Sequence, residues 1–483
     1  MKGSILVSIH PPFAERIYSR QKQFELRKQR PLCITPRMFL FETGGIQAIT
    51  GLALIEDIIT DDVGKLWDTV GLLGATEERF FEYFRGHSKG NAFKLGTVLR
   101  YVNPIPLREI KSILPTFTVP QGYFYVTADS PLYQRLVTRT IETMQLQHHS
   151  RFALAELQDK NKAALSQLVL QELPKQYSDI DEDFIKSLTE RQAPGFTSMS
   201  RQVYEMYWDG RLIGFTTLTF KLGNTVKTGP TLFCKIARGR GYGQKLRGLL
   251  HDALKIMGVR KVFCTCPALN GEAVNYLLHS GYAVEATLEG QYKPGATELV
   301  FGRNLHRSLR PTPPHKFHPQ VEGRRIDAIS TKRQRLPLIA PLIKRLMGMH
   351  YFEVDDQWVA TVLRSWDAHP LASSKKKRKF AVAFSKSRPV AILVITPKRG
   401  GSLKVLLLRE TNDGAGLQRM IKAVMKSYAA LGVRKIYTYV NSMDAFSHRL
   451  FREMGFSAEG LLREPYREGA DFVPYVKFLK RQT

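Results

Sequence analysis

The stretch Arg238-Gly239-Arg240-Gly241-Tyr242-Gly243 holds the clearest chemistry in this chain. It follows the apolar run Thr231-Leu232-Phe233-Cys234 and leads into Gln244-Lys245-Leu246-Arg247-Gly248-Leu249-Leu250, which reads as a helix. A strand, a glycine-rich turn and a helix together aim bare backbone N–H groups at a phosphate. Glycine permits close approach of the backbone and positive φ. Arg238 and Arg240 add charge that a pyrophosphate would attract. Cys264 and Cys266 share one face of a strand, but no histidine lies near them. Packing explains that pair better than zinc, and no metal is expected.

The elements that must position the loop can be read around it. Phe152 to Leu157 is a strand. Lys160 to Leu173 and Asp181 to Arg191 are helices. Val203 to Trp208 and Leu212 to Phe220 form a hairpin across Asp209-Gly210, and Thr231 to Ile236 is a fourth strand. After the loop and its helix come a strand at Lys261 to Cys266 and a helix at Gly271 to His279. Closing strands follow near Ala283 to Leu288 and Thr297 to Phe301. Part of this order returns. Gly258-Val259-Arg260-Lys261-Val262-Phe263 reappears as Gly432-Val433-Arg434-Lys435-Ile436-Tyr437, an offset of 174. The same offset pairs Gly281-Tyr282 with Gly455-Phe456, Glu285 with Glu459, Leu288 with Leu462, and Tyr292 with Tyr466. So long a period means duplicated domains rather than a solenoid.

The order and motifs resemble the GCN5-related N-acetyltransferase (GNAT) family. Its acetyl-CoA loop, (Q/R)-x-x-G-x-(G/A), is matched by Arg238, Gly241 and Gly243. Downstream, Asn270, Ala273 and Gly281-Tyr282 match a second motif. The resemblance implies acetyl-CoA as co-substrate, with Ile236, Arg238, Gly239, Arg240, Gly241, Tyr242, Gly243 and Asn270 around it. It also implies a splayed strand pair for the pantetheine arm and an amine acceptor. Catalysis then needs a base and often an acid. The family's usual tyrosine acid falls at Leu277, and at Phe451 in the second copy. Tyr276 is a nearby substitute, though core packing suits it better. Glu205 on the hairpin could be the base, or equally part of a solvated strand face. The second copy reads as degenerate. Thr411 replaces the loop arginine, Asp413 sets a negative charge where phosphate should come, and Asp444 stands in place of Asn270.

The N-terminal region resembles the ASCH domain, a PUA-like β-barrel, over about residues 3 to 135. Lys22-x-x-Glu25-x-Arg27 matches the end of the motif G-x-K-x-x-E-x-R, with Arg20 where the glycine should be. Such domains are inferred to bind RNA or modified bases, and some are small hydrolases. Lys22, Glu25 and Arg27 could read a base edge from a cleft, or form an internal ion-pair network.

The expected fold is therefore α/β (α+β), a PUA-like β-barrel followed by two GNAT-fold domains. Residues 1–140 form the ASCH-like domain and 150–305 the acetyltransferase domain with the intact loop. Residues 306–322 form a Pro-rich basic linker and 323–483 the degenerate copy. The net charge of +29, from 72 Lys+Arg against 43 Asp+Glu, predicts a polyanionic partner, RNA before DNA. Four cysteines, no membrane-spanning run and no secretion signal point to a cytoplasmic protein. The run Lys375 to Lys379 could be an import signal or a solvated loop, and His315 with His318 makes a poor metal site. An acetyltransferase acting on an amine of RNA or of an RNA-associated protein is the leading reading. A non-catalytic RNA-binding regulator is the alternative. The oligomeric state is not legible.

Overall fold

Three β-sheets follow one another along the chain in a computed structural model. It describes residues 4–31, 36–74, 76–147, 151–190, 198–305, 324–331, 336–350, 354–364 and 378–479. The expected linker, both of its histidines and most of the Lys375 to Lys379 run lie outside these residues.

The first sheet contains β1 (Ser4–Ile9), β2 (Phe24–Arg27), β3 (Arg37–Glu42), β4 (Ala48–Asp62), β5 (Lys89–Pro106) and β6 (Phe124–Val126). Their order is β2-β5-β4-β3-β1-β6, with β1 and β3 parallel. Met38-Phe39-Leu40-Phe41 lacks polar residues because both faces of β3 are covered. Helices α1 (Pro11–Tyr18), α2 (Val63–Gly74), α3 (Glu77–Phe84) and α4 (Leu107–Ile113) accompany it. Arg20 adopts φ 65°, the left-handed conformation that favours glycine, and its guanidinium donates to the Gly96 carbonyl. Helix α5 (Pro131–Gln147) packs on β5, and also on the next sheet and its long helix. The boundary expected at residue 140 thus falls inside a helix.

The second sheet contains β7 (Phe152–Glu156), β8 (Ser198–Trp208), β9 (Arg211–Lys221), β10 (Thr225–Phe233), β11 (Lys261–Pro267), β12 (Ala283–Glu289) and β13 (Thr297–Asn304). Its helices are α6 (Lys162–Glu172), α7 (Glu182–Thr189), α8 (Tyr242–Ile256) and α9 (Gly271–His279). The strand expected from Thr231 begins six residues earlier, at Thr225, and ends at Phe233. A bulge at Gly229-Pro230 interrupts its apolar pattern, and Lys235–Ala237 is a single 3-10 turn. Helix α8 buries Leu246, Leu250, Ala253 and Leu254, the one-face spacing of an amphipathic helix.

The third sheet contains β14 (Ala328–Ser330), β15 (Lys379–Ser385), β16 (Arg388–Lys398), β17 (Ser402–Arg409), β18 (Lys435–Asn441), β19 (Ser457–Ala458), β20 (Leu462–Arg467) and β21 (Ala470–Phe478). Helices α10 (Leu336–His350), α11 (Asp356–Arg364), α12 (Gly414–Ala430) and α13 (Ala445–Glu453) flank it. The second sheet runs β7-β8-β9-β10-β11-β13-β12 and the third β14-β15-β16-β17-β18-β21-β19. In each, the fourth and fifth strands are parallel and the remaining pairs antiparallel. The same order built twice is what the sequence repeat leads one to expect.

These two sheets meet through reciprocal contacts. Lys261 pairs with Glu285 and donates to the Arg463 carbonyl; Lys435 pairs with Glu459 and donates to the Glu289 carbonyl. Ala286 and Gly460 form a β-bridge between them. Gly223 and Gly400, both left-handed, let the backbone approach Tyr466 and Tyr292 respectively. Each contact has its counterpart on the other side.

Candidate coenzyme loop and acid residues

The loop sits between the turn at Lys235–Ala237 and α8. Gly239 and Gly241 take φ 72° and 74°, and Gly241 caps α8 without any side-chain hydrogen bond. The amides of Gly239, Arg240, Gly241, Tyr242 and Gly243 donate to no acceptor among the described residues. A helix start with open donors suits an anion. Arg240 is exposed beside them. Ile236 is 76% exposed, an apolar side chain next to the loop. Arg238 is placed differently from its expected role. Its guanidinium pairs with Glu172 on α6 at 2.9 Å and donates to the Phe233 carbonyl, so it anchors the loop rather than facing a ligand. Asn270 caps α9, accepting from the Ala273 amide at 3.2 Å.

Strands β10 and β11 pair only at Thr225–Lys227 with Lys261–Phe263, and beyond that they part. The bulge between Thr228 and Thr231 lies at this divergence. This geometry fits the pyrophosphate and the pantetheine arm of acetyl-CoA, with donors at the helix start and a gap leading inward.

The corresponding loop of the third sheet is closed by its own side chain. Asp413 caps α12, accepting from Gly416 at 3.0 Å and from the Ile326 amide at 2.8 Å. Thr411 donates to the Arg324 carbonyl at 2.5 Å. Arg409 binds Asp444 and Asn412, and Asp444 also caps α13. Strand β17 pairs with β16 without a bulge. A fixed carboxylate therefore stands at this helix start.

Both expected catalytic residues are engaged in hydrogen bonds within the fold. Tyr276 donates to the Gly243 carbonyl and accepts from Arg247 at 3.1 Å, tying α9 to the first turn of α8. Burial raises its pKa. Arg247 is buried, and it also reaches Thr228 and Tyr282. His251 beside it is lowered to about 3 by burial and by the charges of Arg247 and Arg303, so it stays neutral. Glu205 is not on a solvated face. It is fully buried, and its oxygens accept from the Gln158 amide at 2.7 Å and from Tyr207 at 2.6 Å. It fastens the chain leaving β7.

One acid escaped the sequence reading. Glu298 on β13 is 1% exposed, and neither carboxylate oxygen has a hydrogen-bond partner among the described residues. It lies opposite Pro267 of β11 and Leu288 of β12, on the face that also carries Thr265 and Val300. Burial pushes its pKa up to about 7, opposed by the nearby charge of Lys227. The signal was a lone acid within an apolar strand pattern.

In the first sheet, Lys22, Glu25 and Arg27 come together as a buried network. Glu25 is bound by Lys22 and by Arg27 at 2.8 Å, and Arg27 reaches the Ser8 carbonyl at 2.9 Å. Burial lowers the Lys22 pKa. Burial pushes Glu25 up, but Lys22 and Arg27 outweigh it and hold the carboxyl low. These side chains form an internal ion-pair network. The described residues contain no cluster able to hold a metal, and no helix among them is long and apolar enough to cross a membrane.

Comparison with known proteins adds the following. The chain is 31% identical over 137 residues to an ASCH domain-containing ribonuclease of Zymomonas mobilis, matching 28% of this chain and 90% of that protein. A crystal structure of ASCH from Zymomonas mobilis matches at 30% identity and TM-score 0.26, covering 28% of this chain and 93% of that one. A spermidine N-acetyltransferase from Vibrio cholerae, solved with CoA and spermine, matches at 14% identity and TM-score 0.27. It covers 33% of this chain and 99% of that one. No protein-family model matches.

Proposed function

We propose, from the premise that this chain belongs to the ASCH-domain family through its N-terminal region, that it is an RNA-directed N-acetyltransferase. The ASCH domain and the basic surface would hold the RNA or its protein complex. The loop at 238–243 would hold acetyl-CoA. The open amides of Gly239 to Gly243 at the head of α8, beside a bulged and parted strand pair, carry this reading. The third sheet would serve as a non-catalytic copy, since the Asp413 carboxylate stands at the equivalent helix start and accepts from the Gly416 amide.

Bound acetyl-CoA would supply an acetyl thioester activated toward an amine. The chain's own contribution would be orientation and proton removal. Amides at the loop would fix the pyrophosphate, with Arg240 adding charge. Glu298 would accept the proton of the acceptor ammonium, since a base near the working pH is effective. Arg238 and Tyr276 would position the loop without touching the reacting atoms.

A second reading, a non-catalytic RNA-binding regulator, is favoured by one observation: the loop arginine is already spent on Glu172. Incubation with labelled acetyl-CoA and total RNA, DNA and protein separates the two. Label on RNA or on RNA-bound protein is expected. No label in any fraction contradicts the enzyme reading. RNA cleavage in the same incubation would show that the activity named for the Zymomonas relative is shared.

A further inference from the structure

Between the second and third sheets lies a cavity of about 440 Å³. Its lining is basic and matched across the two sheets. Arg201, Lys221 and Lys227 of β8 to β10 face Arg378, Lys398 and Lys404, which precede or lie on the strands of the third sheet. Each pair is separated by 177 residues. Phe263 and Tyr437, 174 apart, supply an aromatic wall in the same way. Glu285 is the sole acid in the lining among the described residues, and Lys261 already binds it.

Neither Lys398 nor Lys404 has an acidic partner among the described residues. Lys404 instead sits over the Tyr439 ring at 4.1 Å. Lys398 is exposed and Lys404 half-buried. Desolvation by the surrounding protein, with Arg378 and Lys227 nearby, lowers the Lys398 pKa to about 8. Enclosure, with Lys398 and Arg378, lowers Lys404 to about 7. Lys398 and Lys404, with no acidic partner among the described residues, repel each other and are partly desolvated, and an anion between them would relieve both. The size suits a ligand of a few hundred Å³.

We infer that this cavity, shared by the two sheets, binds a phosphate-bearing nucleotide unit. The phosphate would lie among Lys227, Lys398 and Lys404, and the base against Phe263 and Tyr437. The unit could be a free nucleotide or the phosphorylated end of an RNA. This goes beyond the acetyl-transfer reading, because an anion site here stands whether or not the chain transfers acetyl groups.

The test uses the full chain carrying Gly241→Asp, so that phosphate cannot bind at the loop. ADP and a 5′-phosphorylated RNA tetramer are titrated by calorimetry at pH 7. At least one should bind with a stoichiometry of one. ADP alone binding identifies a free nucleotide, and the tetramer alone an RNA end. Adding Lys398→Met with Lys404→Met should weaken binding roughly 10–100-fold, the range for charge-assisted hydrogen bonds. The same double substitution with Gly241 intact should leave acetyl-CoA binding unchanged, which controls for folding. Should it fail to fold, Lys404→Arg decides: affinity within about threefold of the parent is expected for a charge contact.

Binding should also take up protons at pH 8, because the ligand recharges Lys404. The charged and titratable groups that line the cavity with Lys404 are Arg201, Lys221, Lys227, the Lys261–Glu285 pair, Arg378, Lys398, Arg399 and the tyrosines 292, 437, 439 and 466. Of these, Lys398 titrates in the same direction. No binding of either ligand, or equal binding by the Lys398→Met/Lys404→Met protein, overturns the proposal.

Discussion

At neutral pH the carboxyl of Glu298 stands between its two protonation states, since burial has moved it up to about 7. Two consequences separate a proton-transfer role from a structural one. If Glu298 is the base, Glu298→Gln should lower the transfer rate about 10²–10⁴-fold. The wild-type rate should rise with pH through about 7 as the carboxylate forms. Stability should move the opposite way. The unfolded side chain ionises near its ordinary 4.5, while the folded one holds its proton until about 7. Over that interval the folded state binds the extra proton, so stability falls as pH rises. Glu298→Gln removes this penalty. Its melting temperature should exceed the wild type's at pH 8 and match it below pH 4.5, read by thermal unfolding across pH. Residue types marked this acid as a lone acid on an apolar strand but did not set it apart from Glu205. Glu298 and Glu205 both alternate with apolar neighbours on strands, and only packing shows that Glu205 is saturated while Glu298 is not.

Elements were more legible than side chains. The strand from Lys261 and the helix from Gly271 to His279 form where periodicity and capping place them. The strand before the loop was harder to read, because Gly229-Pro230 breaks its pattern at the bulge. The upstream half of the repeat was hidden for a related reason. Lys227 and Gly241 are 14 residues apart, but Lys404 and Gly414 only 10, so a fixed offset of 174 misses the paired cations. The turns at Gly223 and Gly400 give the sheet junction a direct test. A Cβ at Gly223 would lie 1.6 Å from the Tyr466 carbonyl oxygen, and φ there is 77°. Gly223→Val should therefore lower the unfolding midpoint by several degrees. Gly210→Val, in a hairpin with φ 73° and open space around its Cβ, should cost less. Equal losses would mean that the close approach of the two sheets contributes nothing beyond backbone strain.

Across the whole molecule, the charge of +29 gives the partner prediction its strength. RNA affinity should fall steeply and linearly on a log–log plot of binding against salt, as phosphate-bound counterions are released. A flat profile would remove RNA from the account. Net charge could be read from the sequence, but where it gathers could not, because the cavity cations come from strands far apart in the chain. The repeat also provides an internal control, with one loop open and its counterpart capped by Asp413. Calorimetric titration of acetyl-CoA into the full chain exploits that contrast most directly. One site per chain is predicted, abolished by Gly241→Asp and kept by Gly414→Asp. Two sites, no binding, or equal losses from both substitutions would contradict the assignment of the coenzyme to residues 238–243.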